Sequence, residues 1–153
     1  MKKILCLVPI FLICQILCAC GKSSPDFNSR TFDFFSDSFH WDMTIQEAED
    51  YIQNNQTKED DVEIEDYVTR TIVSDDYYIF GFDGNGKMEF VKVRLPRDER
   101  LLDTMIEEYG NCDLINESLE LYTWYGTMNE RNVEMTLDCS IGSNYLIEFC
   151  LKD

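Results

Sequence analysis

The strongest constraint on the fold of this chain is the alternation of apolar and polar positions near its C-terminus. Between residues 131 and 139, and again between 145 and 152, every second side chain is apolar. A period of two places these side chains on one face of an extended strand. We therefore expect two strands with one buried face each, joined by the loop 140–144 so that both apolar sets meet the same core.

A glycine-rich turn predicts a hairpin in the middle of the chain. Residues 83–86 read Asp-Gly-Asn-Gly and lie between two alternating segments, 77–82 and 87–95. An Asn-Gly pair is the preferred sequence of a two-residue type I′ turn, because both positions need a positive φ angle. A turn at Asn85-Gly86 pairs Phe82 with Glu89, Phe80 with Val91, Ile79 with Lys92, Tyr78 with Val93 and Tyr77 with Arg94.

Two helices are predicted, one before and one after this hairpin. Thr44 is a natural N-cap for the first, because Glu47 follows three residues later and completes a capping box. The second helix is expected over about 97–109, where apolar residues recur every three or four positions. Gly110 suits the position just beyond its end.

The order of the predicted elements indicates the fold class. Each helix is followed by three strands, which makes an α-β-β-β pseudo-repeat. The strands are expected at about 62–73, 77–82, 87–95, 120–127, 131–139 and 145–152. We expect a single α+β domain over residues 31–153. It should be a two-layer sandwich, in which an antiparallel sheet of about six strands carries both helices on one face.

The N-terminus resembles a bacterial lipoprotein signal. Lys2 and Lys3 precede a long uncharged apolar run, which ends in a small residue followed by Cys20. In lipoproteins the thiol of such a cysteine receives a diacylglycerol, and the signal is cut just before it. We expect residues 1–19 to be the signal peptide, Cys20 to be the lipidated first residue, and residues 20–30 to be a polar tether.

This interpretation places the domain outside the cytoplasm, anchored in the bacterial cell membrane through the lipid. Two other interpretations of the same segment are an uncleaved membrane anchor and an ordinary cleaved signal. Both also export the domain.

The charge of the chain restricts its partners. It has 13 basic and 30 acidic residues, for a formal net charge of −17. Nucleic acid is therefore not expected as a partner, because phosphate binding needs a basic patch. His40 is the single histidine, so histidine-based catalysis and a His-rich metal site are not expected either.

Several short motifs resemble those of a group of exported bacterial proteins. They are Trp41-Asp42-Met43-Thr44 with Glu47-Ala48, Asp83-Gly84 with Gly86-Lys87, Tyr109-Gly110, and Trp124. Together they are similar to the β-lactamase-inhibitor-protein-like group, which includes the small outer-membrane assembly lipoproteins. The resemblance runs from about Phe39 to the C-terminus. It implies helices on one sheet face and binding of other proteins rather than catalysis, and it carries over no binding residue.

Few side chains suit catalysis or metal binding. Beyond the signal and Cys20 there are Cys112, Cys139 and Cys150, an odd number for a disulfide framework. Cys139 and Cys150 fall on opposite faces of their strands and should not pair, whereas Cys112 either pairs with Cys150 or stays reduced. We expect no catalytic residue, no cofactor and no metal. The acidic stretch 59–66 is interpreted as a solvated loop and strand edge, with a weak calcium site as the alternative.

A candidate binding face lies on the side of the predicted hairpin that points away from the core. It consists of Tyr77, Ile79, Met88, Phe90, Lys92 and Arg94. Apolar and aromatic side chains rimmed by scarce positive charges are typical of a contact surface, whereas a solvated face is polar. The alternative is that the tether or residues 32–39 fold over this patch.

These features predict a non-catalytic protein-binding or assembly module with a protein partner that the sequence does not identify. Two alternatives come from other functional classes. One is a small hydrolase of the cell envelope that acts through carboxylates, and the other is a protective inhibitor of a secreted enzyme. A hydrolase would gather carboxyl groups of raised pKa in a pocket, whereas a binding module would expose an apolar patch.

Overall fold

The computed structural model describes residues 25–55 and 61–152, which form two helices and eight strands. The predicted signal, residues 1–19, and Cys20 lie outside the described residues. The helices are α1 (Ile45–Asn55) and α2 (Leu101–Tyr109). The strands are β1 (Glu63–Tyr67), β2 (Arg70–Ser74), β3 (Tyr78–Asp83), β4 (Met88–Pro96), β5 (Leu114–Asn116), β6 (Leu121–Met128), β7 (Arg131–Asp138) and β8 (Asn144–Leu151).

The eight strands form one antiparallel sheet in the order β1-β2-β3-β4-β8-β7-β6-β5. The predicted α+β class is confirmed, but the predicted number of about six strands is wrong. The stretch 62–73, predicted as one strand, turns back at residues 68 and 69, so that Tyr67 pairs with Arg70. The turn at residues 68 and 69 thus adds one strand to the predicted number. The short β5, which pairs with the start of β6, adds the other.

Each half of the chain is therefore a helix followed by four strands, rather than by the three that were predicted. The two halves join where β4 pairs with β8, the last strand of each half. Val91 pairs there with Phe149, and Val93 pairs with Ile147. The sheet order reads outward from this junction in the same way on both sides.

The core lies between one face of the sheet and the two helices. Its fully buried side chains include Phe80, Val91, Trp124 and Ile147 from the strands and Ile52 from α1, and Met105 of α2 is 3% exposed. Burial of an apolar side chain of this size contributes about 1.5–3 kcal/mol. One face of every central strand therefore packs in the core, and neither helix covers the other face.

Residues 32–39 pack on the same face as the helices. Phe35 stacks on Phe39 with ring centroids 4.4 Å apart, and Phe34 lies 5.2 Å from Phe149. Phe32 and Phe39 are both 2% exposed. The alternative in which this segment covers the candidate binding face is therefore wrong.

The described end of the expected tether contacts the domain at the edge of β6. The carbonyl of Arg30 accepts from the N–H of Thr127 at 3.0 Å, and the Arg30 guanidinium pairs with Asp113. The Phe27 ring packs edge-on against Tyr125, with 5.4 Å between centroids. The chain thus enters the fold beside β6, three strands away from β4.

The predicted capping residues lie at the start of α1 and at the end of α2. The backbone N–H of Thr44 donates to the Glu47 carboxylate at 2.8 Å, and the Glu47 N–H donates back to the Thr44 hydroxyl at 3.2 Å. This is the predicted capping box. Gly110 ends α2 with φ 79°, and its carbonyl accepts from the Trp124 indole at 2.9 Å. Helix α2 begins at Leu101 rather than near residue 97.

The β3–β4 hairpin has a different turn from the one predicted. Asp83 and Lys87 close a three-residue loop, in which Gly86 has φ 79° and Asp83 accepts the N–H of Gly86 at 2.9 Å. The loop is one residue longer than a type I′ turn, and a bulge in β4 restores the register. Phe80–Val91 and Tyr78–Val93 pair as predicted, but Phe82 pairs with Met88 instead of Glu89.

Candidate functional site

The candidate site is the sheet face opposite the helices, which we call the open face. Register places Ile79 on it from β3, and Phe90, Lys92 and Arg94 from β4. Tyr77 lies at the entry to β3, where its carbonyl accepts from the Arg94 N–H at 2.8 Å. Five of the six predicted side chains are thus brought together.

Met88 does not belong to the open face, contrary to the prediction. The bulge places an extra residue between Met88 and Phe90, so both cannot point the same way. Met88 lies opposite Phe82 and is 1% exposed within the core.

Three apolar side chains surround Gly81 at the centre of the open face. Ile72 and Phe90 are its cross-strand partners, and Ile79 lies two residues before it on β3. A Cβ atom at position 81 would lie 2.2 Å from the Phe90 ring. The ring therefore occupies the space that a side chain at residue 81 would need. We call Ile72, Ile79 and Phe90 the central triad.

Two cations cover the Phe90 ring from the solvent side. The Arg70 guanidinium lies 4.9 Å and the Lys92 ammonium 5.0 Å from the ring centroid. Phe90 is consequently only 7% exposed although no helix covers it. Long basic side chains often shield apolar surface in this way, since their stems pack while their charges stay in water.

The cations near the centre of the face are paired with carboxylates. The Arg70 guanidinium nitrogen lies 2.9 Å from a carboxylate oxygen of Glu89, and the Lys92 ammonium nitrogen lies 3.1 Å from a carboxylate oxygen of Glu148. Each such half-exposed pair contributes about 0–1 kcal/mol. Their main effect here is to balance the charge over the central triad.

One corner of the open face is more accessible than its centre. Arg94 donates to the neutral carbonyl of Asp76 at 3.2 Å, and its guanidinium forms no salt bridge with a carboxylate of the described residues. Tyr77 is 37% exposed, and Leu146 lies directly opposite Arg94 on β8. Partial burial raises the pKa of the Tyr77 hydroxyl, so this group is a hydrogen-bond donor at neutral pH. We call Tyr77, Ile79, Arg94 and Leu146 the Tyr77 corner.

The cysteines do not form a reactive site among the described residues. Cys112, Cys139 and Cys150 are all free thiols. Cys139 is in the core cluster, and Cys150 lies on the open face opposite Phe90 and Glu134. The predicted separation of Cys139 and Cys150 is confirmed, and the Cys112–Cys150 bridge is not formed. Burial raises the pKa of Cys150 to about 12, so its thiol stays protonated and weakly nucleophilic.

The carboxyl groups whose pKa shifts in the part of the chain that the structure covers all shift downward. The carboxyl groups with a resolved shift are Glu47, Asp83 and Asp98, and each pKa is lowered, mainly by backbone N–H donors. A catalytic acid needs the opposite shift. Residues 59 and 60 of the acidic stretch lie outside the described ranges. Between 61 and 152, and between 25 and 55, no three His, Cys, Asp or Glu residues are grouped to hold a metal ion.

Sequence reasoning missed three members of the open face, Arg70, Ile72 and Leu146. The first two lie on β2. Strands β1 and β2 were predicted as one strand, because Val68-Thr69 contains no residue that favours a turn. Leu146 joins the face because β4 pairs with β8. That contact joins residues about 50 positions apart, which no local pattern reveals.

Comparison with protein-family models, with curated proteins and with solved structures found no match to this chain. The likeness to the β-lactamase-inhibitor-protein-like group therefore stays a prediction from its short motifs. Within residues 25–55 and 61–152, neither helix has the length and apolar character needed to cross a bilayer.

Proposed function

We propose that this chain is a lipid-anchored, non-catalytic module that binds another protein outside the cytoplasm through the Tyr77 corner of its open face. The observation that carries the proposal is the composition of this corner. An accessible tyrosine, two aliphatic side chains and an arginine without a salt bridge among the described residues lie together at one end of three central strands, on the sheet face that no helix covers. Tyr and Arg are enriched among the residues that dominate binding energy.

The central triad has a supporting role in this proposal. Phe90 is shielded by Arg70 and Lys92 and presents little area to a partner. Its ring fills the space above Gly81, on the same strand that carries Ile79 of the corner. A rigid platform lowers the entropic cost of binding.

The localisation part of the proposal depends on Cys20. A diacylglycerol on this thiol would insert its acyl chains into the membrane, and each buried CH₂ group contributes about 0.8 kcal/mol. Loss of Lys2 and Lys3 with the signal would change the formal net charge from −17 to −19. This charge would keep the domain away from anionic lipid, so the lipid rather than the protein surface would provide the anchor. Replacement of Cys20 by Ala should abolish fatty-acid labelling and leave an uncut precursor.

The binding test compares matched variants in intact cells. Tyr77→Ala and Arg94→Gln should each reduce recovery of the crosslinked partner at least 10-fold, because loss of a dominant contact costs about 2 kcal/mol or more. Asn132→Ala is the control, since Asn132 is an exposed residue of β7 on the same face but in the other half. The urea midpoints of all three should match that of the wild type.

Equal recovery of the partner by all variants would contradict the proposed role of the corner. If Cys20→Ala abolishes labelling and the partner is still recovered normally, the lipid anchor stands and the binding surface is elsewhere.

A further inference from the structure

An open, mostly apolar depression with polar groups at its rim, which we call the cavity, lies beside α1, on the helix side of the sheet. Its volume is about 190 Å³, and its walls include Ser38, His40, Glu47, Asp50, Tyr51 and Asn54. It is separate from the open face and shares none of the residues of the Tyr77 corner.

The helix supplies one wall of the cavity at regular spacing. Glu47, Asp50, Tyr51 and Asn54 are three, four and seven positions apart, so their side chains lie along one strip of α1. The chain before the helix supplies the other wall with Ser38, His40 and Met43. The capping box lies where the two walls meet, because it ties Thr44 to Glu47 at the start of the helix.

The base of the cavity is apolar and well held. Tyr51 is 5% and Met43 is 3% exposed. The Tyr51 hydroxyl accepts from Ser36 at 3.3 Å, and its ring packs edge-on against Phe39, with 6.1 Å between centroids. The base therefore does not need to rearrange when a ligand enters.

The lining carries net negative charge. Backbone and hydroxyl donors from Thr44 lower the pKa of Glu47, so this carboxylate stays ionised at neutral pH. Asp50 adds a second carboxylate, and its contact within the described residues is the neutral amide of Gln46 at 3.3 Å. Such a lining disfavours anions and favours a cation.

The volume restricts the class of ligand. Pockets that enclose drug-sized molecules have volumes of roughly 300–1,000 Å³, so this cavity can enclose only a smaller group. A single long side chain fits better. Carboxylates at the rim of an apolar depression suit a planar guanidinium on an alkyl stem, because guanidinium hydrogen-bonds a carboxylate through two N–H groups while the stem packs on apolar surface.

We propose that this cavity receives an arginine side chain from a partner polypeptide, with Asp50 and Glu47 facing the guanidinium and Tyr51 contacting the stem. This site is independent of the proposed function, because it lies on another surface and uses other residues.

The test is an NMR titration of the full chain with Nα-acetyl-arginine N-methylamide. Saturable shifts should appear at the backbone amides of residues 38–54. The corresponding citrulline amide has nearly the same shape without the charge and should bind at least 5-fold more weakly. Asp50→Asn should weaken arginine binding at least 5-fold, whereas Glu49→Gln, one residue away and not in the lining, should leave it unchanged.

Three results would overturn the proposal. They are equal binding of the arginine and citrulline amides, unchanged binding by Asp50→Asn, and shifts spread over the acidic surface without saturation. Two further arms define the ligand. Binding of butylguanidine without binding of the blocked arginine would reject a polypeptide source, and equal binding of the lysine amide would reject the preference for guanidinium.

Discussion

The two halves of the open face have the same strand layout and different chemistry. In the first half, Ile72, Ile79 and Phe90 surround Gly81. In the second half, the equivalent area between β6 and β7 carries Thr123 opposite Thr136, whose hydroxyls lie 3.1 Å apart, and Tyr125 opposite Glu134. The second half, where Phe27 contacts Tyr125, shows that this sheet accommodates polar residues on the face that no helix covers. In the first half the apolar centre packs over Gly81 and supports the sheet, and the more accessible Tyr77 corner beside it is the part of the face that we propose for a partner.

The comparison is sharpest at Phe90 and Tyr125, which lie in one cross-strand row of the sheet. Phe90→Ala should lower the free energy of unfolding by about 3 kcal/mol, because the ring is nearly buried and its removal leaves a gap over Gly81. Tyr125→Ala should cost about 1 kcal/mol, since that ring is only half-buried. Urea unfolding of both variants measures the difference. Equal losses in the free energy of unfolding would mean that the Phe90 and Tyr125 rings contribute equally to the stability of the fold.

The space above Gly81 provides a second test. Gly81→Ala should cost about 1.5 kcal/mol, because the new methyl group forces the Phe90 ring away from the sheet and exposes it. In the Phe90→Ala background the same substitution should be neutral or slightly stabilising, since glycine within a strand is less favourable than alanine. A double-mutant cycle measures this coupling. Additive effects would show that the packing of the Phe90 ring does not depend on the absence of a side chain at residue 81.

The sequence predicted the pairing of the apolar strands well and the details of the turns poorly. Alternation over 131–139 and 145–152 is a local property, and it placed Val133, Met135 and Ile147 correctly in the core. The bulge that turns Met88 inward results from a three-residue loop, which the same Asp-Gly-Asn-Gly sequence also accommodates. A turn built from Val68 and Thr69 has no residue that favours it.

The candidate site shows the same division between local and distant contacts. The pairing of Ile79 with Lys92 follows from the hairpin alone and was predicted. Leu146 and Ile72 join the face through sheet order, which depends on packing of the whole core. The cavity beside α1 was missed for a related reason, because its second wall comes from residues 38–43, a segment without a regular pattern.

The turns of the hairpins in the two halves are built differently. In the β6–β7 turn, Asn129 and Glu130 adopt positive φ angles of 49° and 64°. In the β3–β4 turn the Asp83 carboxylate accepts from the N–H groups of Lys87 and Asn85, and these bonds lower its pKa. Asp83 therefore adds stability above the pKa of the unfolded chain, about 4, and this contribution is lost as the pH falls through the lower folded value.

Asp83→Asn should consequently have a lower urea midpoint than the wild type at pH 6, and the two midpoints should approach each other at pH 3. Gly84→Ala is the control in the same turn, because its added methyl group meets nothing closer than 3.8 Å. Its midpoint should differ from that of the wild type by the same amount at both pH values. A gap between Asp83→Asn and the wild type that does not narrow in acid would show that the carboxylate charge has no role in the turn.

The smallest expected difference separates two lysines that make similar ion pairs on the open face. Lys92 lies 3.1 Å from Glu148 and also covers the Phe90 ring, whereas Lys152 lies 3.2 Å from Glu134 and covers no ring among the described aromatic contacts. Lys152→Gln should therefore cost only about 0.3 kcal/mol, the value of an exposed pair. Lys92→Gln should cost about 1 kcal/mol, because the cation–π contact is lost as well. In the Phe90→Ala background the cost of Lys92→Gln should fall to that of Lys152→Gln. If it does not fall, Lys92 acts through Glu148 alone, and shielding of the central triad by cations is not what distinguishes the two halves.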